Sequence, residues 1–350
     1  MAIYGAQHLI ERKIHMDHHP DIQAALDVLA RTFPRATARA SSALSILLRQ
    51  TYIGAKRSAG DHQAAWSFST LTGDGFPLEW TFTSADAHLR YAVDPARPGL
   101  PPAQRLANAA ELVAQLCQPL NLKLLEELMA WQLAAPVGEL RYGAWIGGRH
   151  HVVSQSDRFK LYVEVPASSA PGQGSLIAAH LNPQPRLPER ELQLRMLGLE
   201  PTTGRVEFYY RVHSLQSATL SHLLYPAGLR SRADELLDFV ERAYGHSLRV
   251  VGARIPGGSV GFSYSVSPDD GRVAFTLFLF TRLLWGGDAR IRPRFRERLE
   301  TAGLDSAPYW QVTAALDTRD VYQTYHGLIG FVVASDAPIQ ISLGVRPPPM

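Results

Sequence analysis

Several strand-like runs place cations, carboxylates and tyrosines at every second position. In RFKLYVEV, Arg158, Lys160, Tyr162 and Glu164 share one face, and in RVEFYYRVH so do Arg205, Glu207, Tyr209 and Arg211. PLEWTFT puts Glu79, Thr81 and Thr83 together, and HLRYAVD does the same for Arg90, Ala92 and Asp94. A fourth pair of runs has Arg272, Ala274, Thr276 and Phe278 in this place, and a fifth has Gln340, Ser342 and Gly344. The intervening residues are apolar and belong against helices, so the polar stripe should face an interior. Cations taken out of water need carboxylates or a polyanion beside them. Either Glu79, Glu164 and Glu207 neutralise them internally, or the cations converge as a seat for a diphosphate that gathers negative charge as it leaves. Tyr162 and Tyr209 add ring faces that stabilise a carbocation and hydroxyls that reach phosphate oxygens.

The elements that must hold these residues repeat along the chain. Five strand pairs are expected: Leu78–Thr83 with His88–Asp94, Tyr142–Ser154 with Arg158–Val165, Leu192–Glu200 with Arg205–His213, Ser259–Ser267 with Arg272–Phe280, and His326–Ser335 with Ile339–Val345. Turn residues such as Pro-Thr-Thr-Gly and Pro-Asp-Asp-Gly join the arms. Helical periodicity appears from Asp21, over Ala43–Tyr52, from Ala103 to about Leu133 with a break at Pro119, and over Ser175–Leu181, Asp234–Tyr244, Ala289–Ala302 and Trp310–Asp320. Ten antiparallel strands interspersed with helices predict an α+β fold, a closed ten-stranded barrel with the helices outside. Ten strands enclose more space than eight, enough for a small-molecule chamber. Two stacked α+β domains are the alternative. Residues 1–20 read as a lead segment, and 21–350 as a single barrel domain.

Composition narrows the function. A net charge of +3 over 350 residues, with basic residues alternating with apolar ones, does not make a nucleic-acid surface. Lys13, Lys56, Lys123 and Lys160 are the only lysines, so arginine, suited to bidentate phosphate recognition, carries the positive charge. The lone Cys117, in the helix-like ELVAQLCQPL, reads as a structural thiol and excludes a multi-cysteine metal site. His15, His18 and His19 lack spaced partner ligands, and Asp269-Asp270 sits in a turn and forms no DDxxD motif. No signal peptide opens the sequence, and apolar runs such as Val273–Phe280 are too short to span a bilayer, so a cytoplasmic protein without a membrane partner is expected.

The helix-strand-strand-helix repeat, the PLEW opening, and the LRYAVDP and FKLYVEVP strands resemble the aromatic prenyltransferases with the ABBA barrel, over about residues 60–350. The nearest branch is the dimethylallyltryptophan-synthase type of indole prenyltransferase. The resemblance implies transfer of a dimethylallyl or longer prenyl group from its diphosphate to an indole-containing acceptor. It implies that Glu79 accepts the indole N–H, that Arg90, Lys160 and Arg205 bind diphosphate, and that Tyr162 and Tyr209 shield the allyl cation. It also implies no cofactor, with magnesium at most accessory. This chain departs from the pattern: Glu207 stands where a lysine is usual, and Ala274, Thr276 and Ser342 replace a polar residue and two tyrosines. Arg211 or Arg272 is then expected to complete the diphosphate seat, and His151, or its neighbour His150, to take the arenium proton. Phenolic, naphthalene or phenazine acceptors on the same barrel, or a non-catalytic binding barrel, are the alternatives.

Overall fold

A computed structural model, which describes residues 19–51, 68–117, 122–154, 156–188, 192–317 and 324–348, contains all ten expected strands. They are β1 (Leu78–Thr83), β2 (Leu89–Val93), β3 (Ala144–His150), β4 (Asp157–Glu164), β5 (Gln193–Glu200), β6 (Arg205–His213), β7 (Ser259–Val266), β8 (Val273–Phe280), β9 (His326–Ala334) and β10 (Ala337–Val345). Each pairs antiparallel with its chain neighbours, and β1 closes the ring through Trp80↔Tyr91 on one side and Trp80↔Val345 on the other. The fold is therefore one closed barrel; two stacked sheets do not form. Closure pairs the edges that an open sheet would expose.

The short turns between paired strands gather at one end of the barrel, called here the hairpin end. The helical connections leave from the other. The helices are α1 (Pro20–Thr32), α2 (Pro34–Leu47), α3 (Pro102–Leu116), α4 (Leu122–Ala134), α5 (Ala170–Ala178), α6 (Leu220–Leu224), α7 (Ala233–Tyr244), α8 (Thr281–Trp285), α9 (Asp288–Thr301) and α10 (Ala307–Val312). Alternation decides which strand face meets them. Phe159, Leu161 and Val163 on β4, and Val206, Phe208 and Tyr210 on β6, are buried outward in the helix–sheet core. In α7, Asp234 and Glu235 open the helix, Arg242 lies in its last turn, and Gly245 at φ 79° stops it. Its Leu236 and Val240 are fully buried, and each contributes about 1.5–3 kcal/mol.

Differences from the sequence-based elements lie at boundaries. Prolines at the first turn start α2 and α5 earlier than apolar spacing indicates, while α6 and α8 are too short to show a period. β3 stops at His150 because the His151 ring accepts the Val153 and Ser154 N–H groups at 3.2 and 2.9 Å, closing a turn. Cys117 follows α3, half-buried, with its thiol 3.4 Å from the Val113 carbonyl. The expected lead, apart from residues 19 and 20, and the end of the last expected helix at 318–320 lie outside the described residues. Among those described, no helix is long and apolar enough to cross a membrane.

Candidate active site

The polar stripes meet inside the barrel. Successive cross-strand partners Thr81, Arg90, Arg149 and Arg158 form one row over β1–β4, and Glu79, Ala92, Gly147 and Lys160 form the next row toward the helix end. Asp86, in the turn after β1, binds Arg90 through both carboxylate oxygens at 2.5 and 2.6 Å and reaches Arg149 at 3.1 Å. Burial works against ionisation of Asp86, yet the Arg90 hydrogen bond and charge, with the His88 N–H and Arg149, hold its pKa down at about 2. Arg158 faces Glu200 at 3.6 Å, and Arg205 pairs in register with Glu200; both arginines are exposed at the hairpin mouth of the barrel. Burial and the nearby Arg90 charge lower the pKa of Arg149 despite Asp86, so this row tolerates and favours an added anion.

Below it, Lys160 donates to Glu207 at 2.6 Å, and Ser263 donates to the same carboxylate at 2.5 Å. Burial alone would neutralise both members, but each holds the other charged: Glu207 stays below the usual carboxylate range and Lys160 above that of a free lysine. Lys160 Nζ lies 5.5 Å from the Tyr162 ring centre. Tyr162 and Tyr209 meet edge to face at 6.0 Å, and Phe278 stacks on Tyr209 at 5.9 Å. Gly198 lets this group crowd together, since a Cβ there would stand 3.1 Å from the Lys160 chain and 3.3 Å from both Glu207 and Tyr209. The result is a charged pair flanked by aromatic faces.

Glu79 is different. It faces the same lumen, but no charged side chain among the described residues offsets its loss of water, and burial raises its pKa to about 7. Its carboxylate lies against bare backbone, where a Cβ on Gly344 would fall 1.5 Å from Oε1. Such a carboxylate is poised to accept a hydrogen bond from a bound ligand.

The other expected residues lie apart from this group. Arg211 is exposed at the helix end, donating to Ser259 at 2.6 Å. Arg272 sits at the hairpin rim between Asp270 and Asp336 at 2.9 and 2.8 Å and is 65% exposed. The His151 ring is engaged by its own turn, and His150 is buried outward, 3.1 Å from the Tyr91 hydroxyl. Glu164 does not neutralise the cations: it accepts the N–H groups of Arg141, Tyr142 and Gly143 and closes the loop into β3. Three site residues escape the sequence reading: Asp86, Arg149 and Ser263; Phe278 lies on the expected inward face, and its stacking on Tyr209 gives it a place in the site. Arg149 was legible, because it alternates with Gly147 and Trp145 on the lumen face. A groove of about 760 Å³ between α5 and α6, lined in part by Asn182, His222 and Arg230, lies outside the barrel and contains none of these groups.

No family model matches the sequence, and no curated protein matches it significantly. Solved structures do match. The apo prenyltransferase PriB superposes with a TM-score of 0.71 at 21% identity, covering 94% of this chain and 97% of PriB. The 5-dimethylallyl tryptophan synthase of Streptomyces coelicolor, solved with DMASPP and Trp, gives 0.71 at 18% identity, covering 94% of this chain and 96% of that one. AnaPT of Neosartorya fischeri gives 0.64 at 12% identity, covering 92% and 91%. The likeness is one of fold: this chain is built as the ABBA barrel of the aromatic prenyltransferases.

Proposed function

We propose that this protein transfers a dimethylallyl, or longer prenyl, group from its diphosphate to an indole-containing small molecule, such as a tryptophan derivative or a cyclic dipeptide. One observation carries the reading: a single barrel lumen joins a cationic row, two tyrosine faces and a carboxylate with no charged partner among the described residues. Proteins of the same fold, PriB and the S. coelicolor synthase, have been solved with tryptophan and a dimethylallyl thiolodiphosphate or DMASPP, which supports the same pairing of ligands here.

In this reading Arg90, Lys160 and Arg205, joined by Arg149 and Arg158, gather the diphosphate. Heterolysis of the C–O bond sends its electron pair to that leaving group and leaves an allyl cation beside the Tyr162 and Tyr209 rings. The barrel wall keeps water from the cation. Ionised Glu79 accepts the indole N–H and raises the electron density of the ring, whose carbon attacks the cation; the arenium ion then passes its ring proton to the released diphosphate. Side chains supply the positive charge, so magnesium is at most accessory and EDTA is expected to leave turnover in place.

Incubation with dimethylallyl diphosphate and a panel of indoles, cyclic dipeptides and phenols, followed by mass spectrometry, tests the reading. Prenylated indole, lost in Glu79→Gln, is the expected product. Prenylation of a phenol alone, at full rate in Glu79→Gln, would point to a phenolic acceptor. Saturable diphosphate binding with no product from any acceptor would make the protein a binding barrel.

A further inference from the structure

The wall behind Glu79 is irregular. Pairing of β10 with β9 passes from Leu343↔Ile329 directly to Val345↔His326, so Gly344 alone opposes Gly327 and Leu328. This is a β-bulge, and it turns Gly327 toward the lumen: a Cβ there would lie 3.2 Å from Glu79 Oε2, as one on Gly344 would lie 1.5 Å from Oε1. The two glycines are the floor on which the carboxylate rests.

Three buried polar side chains converge on this bulge from outside the barrel. Asp288, at the start of α9, accepts the Tyr325 N–H at 3.0 Å, the His326 N–H at 3.3 Å and His326 Nδ1 at 2.6 Å. His326 Nε2 is then left to accept from the Tyr309 hydroxyl at 2.9 Å. Thr281 in α8 donates to the Gly327 carbonyl at 2.7 Å. Asp288, His326 and Thr281 are each no more than 2% exposed. A buried polar network costs desolvation wherever it is incompletely satisfied, and satisfied it fixes one geometry. Here that geometry belongs to residues 325–327.

We propose that Asp288, His326 and Thr281 are positioning residues that lock the β9 bulge from behind, so that Gly327 and Gly344 hold the Glu79 carboxylate in a narrow, half-buried niche. The positional claim stands on these contacts, and only its kinetic consequence rests on the acceptor-binding role given to Glu79 above. The groups around Glu79 are uncharged: Ala92 on β2, Gly344 on β10, Gly327 on β9 and Thr81 on its own strand. Thr281→Val loosens the bulge and admits more water with no change of charge, whereas Asp288→Asn also removes a carboxylate behind it.

The test is a ¹³C NMR titration of glutamate-labelled protein, with the Glu79 carboxyl resonance identified by its loss in Glu79→Gln. Wild type is expected to titrate near 7. Asp288→Asn, and Thr281→Val, which removes one hydroxyl and keeps the shape, are each expected to move the midpoint down by about one pH unit toward an ordinary glutamate. If Asp288→Asn does not fold, Thr281→Val decides alone. An unchanged midpoint in a folded Thr281→Val protein would overturn the proposal. The measurement needs no turnover, so a protein inactive on every acceptor still answers it. Where turnover is seen, the acid limb of the acceptor kcat/KM is expected to move down with the midpoint.

Discussion

Glu79 and Glu207 are two carboxylates in one lumen with opposite protonation behaviour. Burial without a counter-charge leaves Glu79 near half-ionised at pH 7, whereas Lys160 and Ser263 keep Glu207 ionised. Only ionised Glu79 is a strong acceptor for an indole N–H, so kcat/KM for the acceptor should rise with pH to a plateau above about 7. The linked stability runs the other way. The folded state binds the extra proton between pH 4.5 and about 7, so stability falls as pH rises through that window and is level beyond it. The loss is on the order of 2 to 3 kcal/mol, and Glu79→Gln should abolish it, as urea unfolding at pH 5 and pH 8 would read. Glu207→Gln tests the other carboxylate. It strands the Lys160 charge and should cost about 3 kcal/mol. Added inorganic diphosphate should then raise the melting temperature more in Glu207→Gln than in wild type; equal rises would show that Lys160 does not meet the anion.

At the scale of elements, strand alternation made the barrel legible. Lumen and outer residues separate by parity in β4 and β6, and the inward placement of Lys160, Tyr162 and Tyr209 follows from that parity alone. What parity cannot show is where it breaks. The β9–β10 bulge and the glycine floor under Glu79 depend on which residues of distant segments face each other. The Asp86–Arg90 pair likewise depends on a turn geometry, and the Lys160–Glu207 contact crosses β5, with Gly198 between them. The expectation for Arg211 rested on its face and could not register that the face runs out of the barrel at the helix end. Gly344→Ala probes the hidden part. Its Cβ must displace the Glu79 carboxylate, and a misplacement of about 1 Å is expected to lower acceptor kcat/KM by about 100-fold. Diphosphate affinity should be unchanged, because the cationic row lies on β2–β4. A variant that lost both equally would show general damage to the wall.

Over the whole molecule the lumen is electrostatically lopsided. Among the described residues, Arg90, Arg149, Arg158, Lys160 and Arg205 on β2–β6 are faced by the three carboxyl groups of Asp86, Glu200 and Glu207, which leaves an excess of basic groups on one side. The opposite wall on β7, β8 and β10 presents Ser263, Ala274, Thr276, Phe278 and Ser342, which carry none. The arginine row lies toward the hairpin end, so an anionic donor approaching there meets an attractive field while a neutral acceptor does not. Such a field is screened over about 10 Å at 0.1 M salt and about 3 Å at 1 M. Raising ionic strength from about 0.05 to about 0.5 M should therefore lower kcat/KM for the prenyl diphosphate several-fold and leave that for an uncharged indole nearly constant. Arg149→Gln, which removes one charge from the row, should flatten the donor's salt dependence. Equal salt sensitivity for both substrates would mean that the excess charge does not guide the donor, and the division of the lumen into an anionic-ligand side and a neutral side would fall with it.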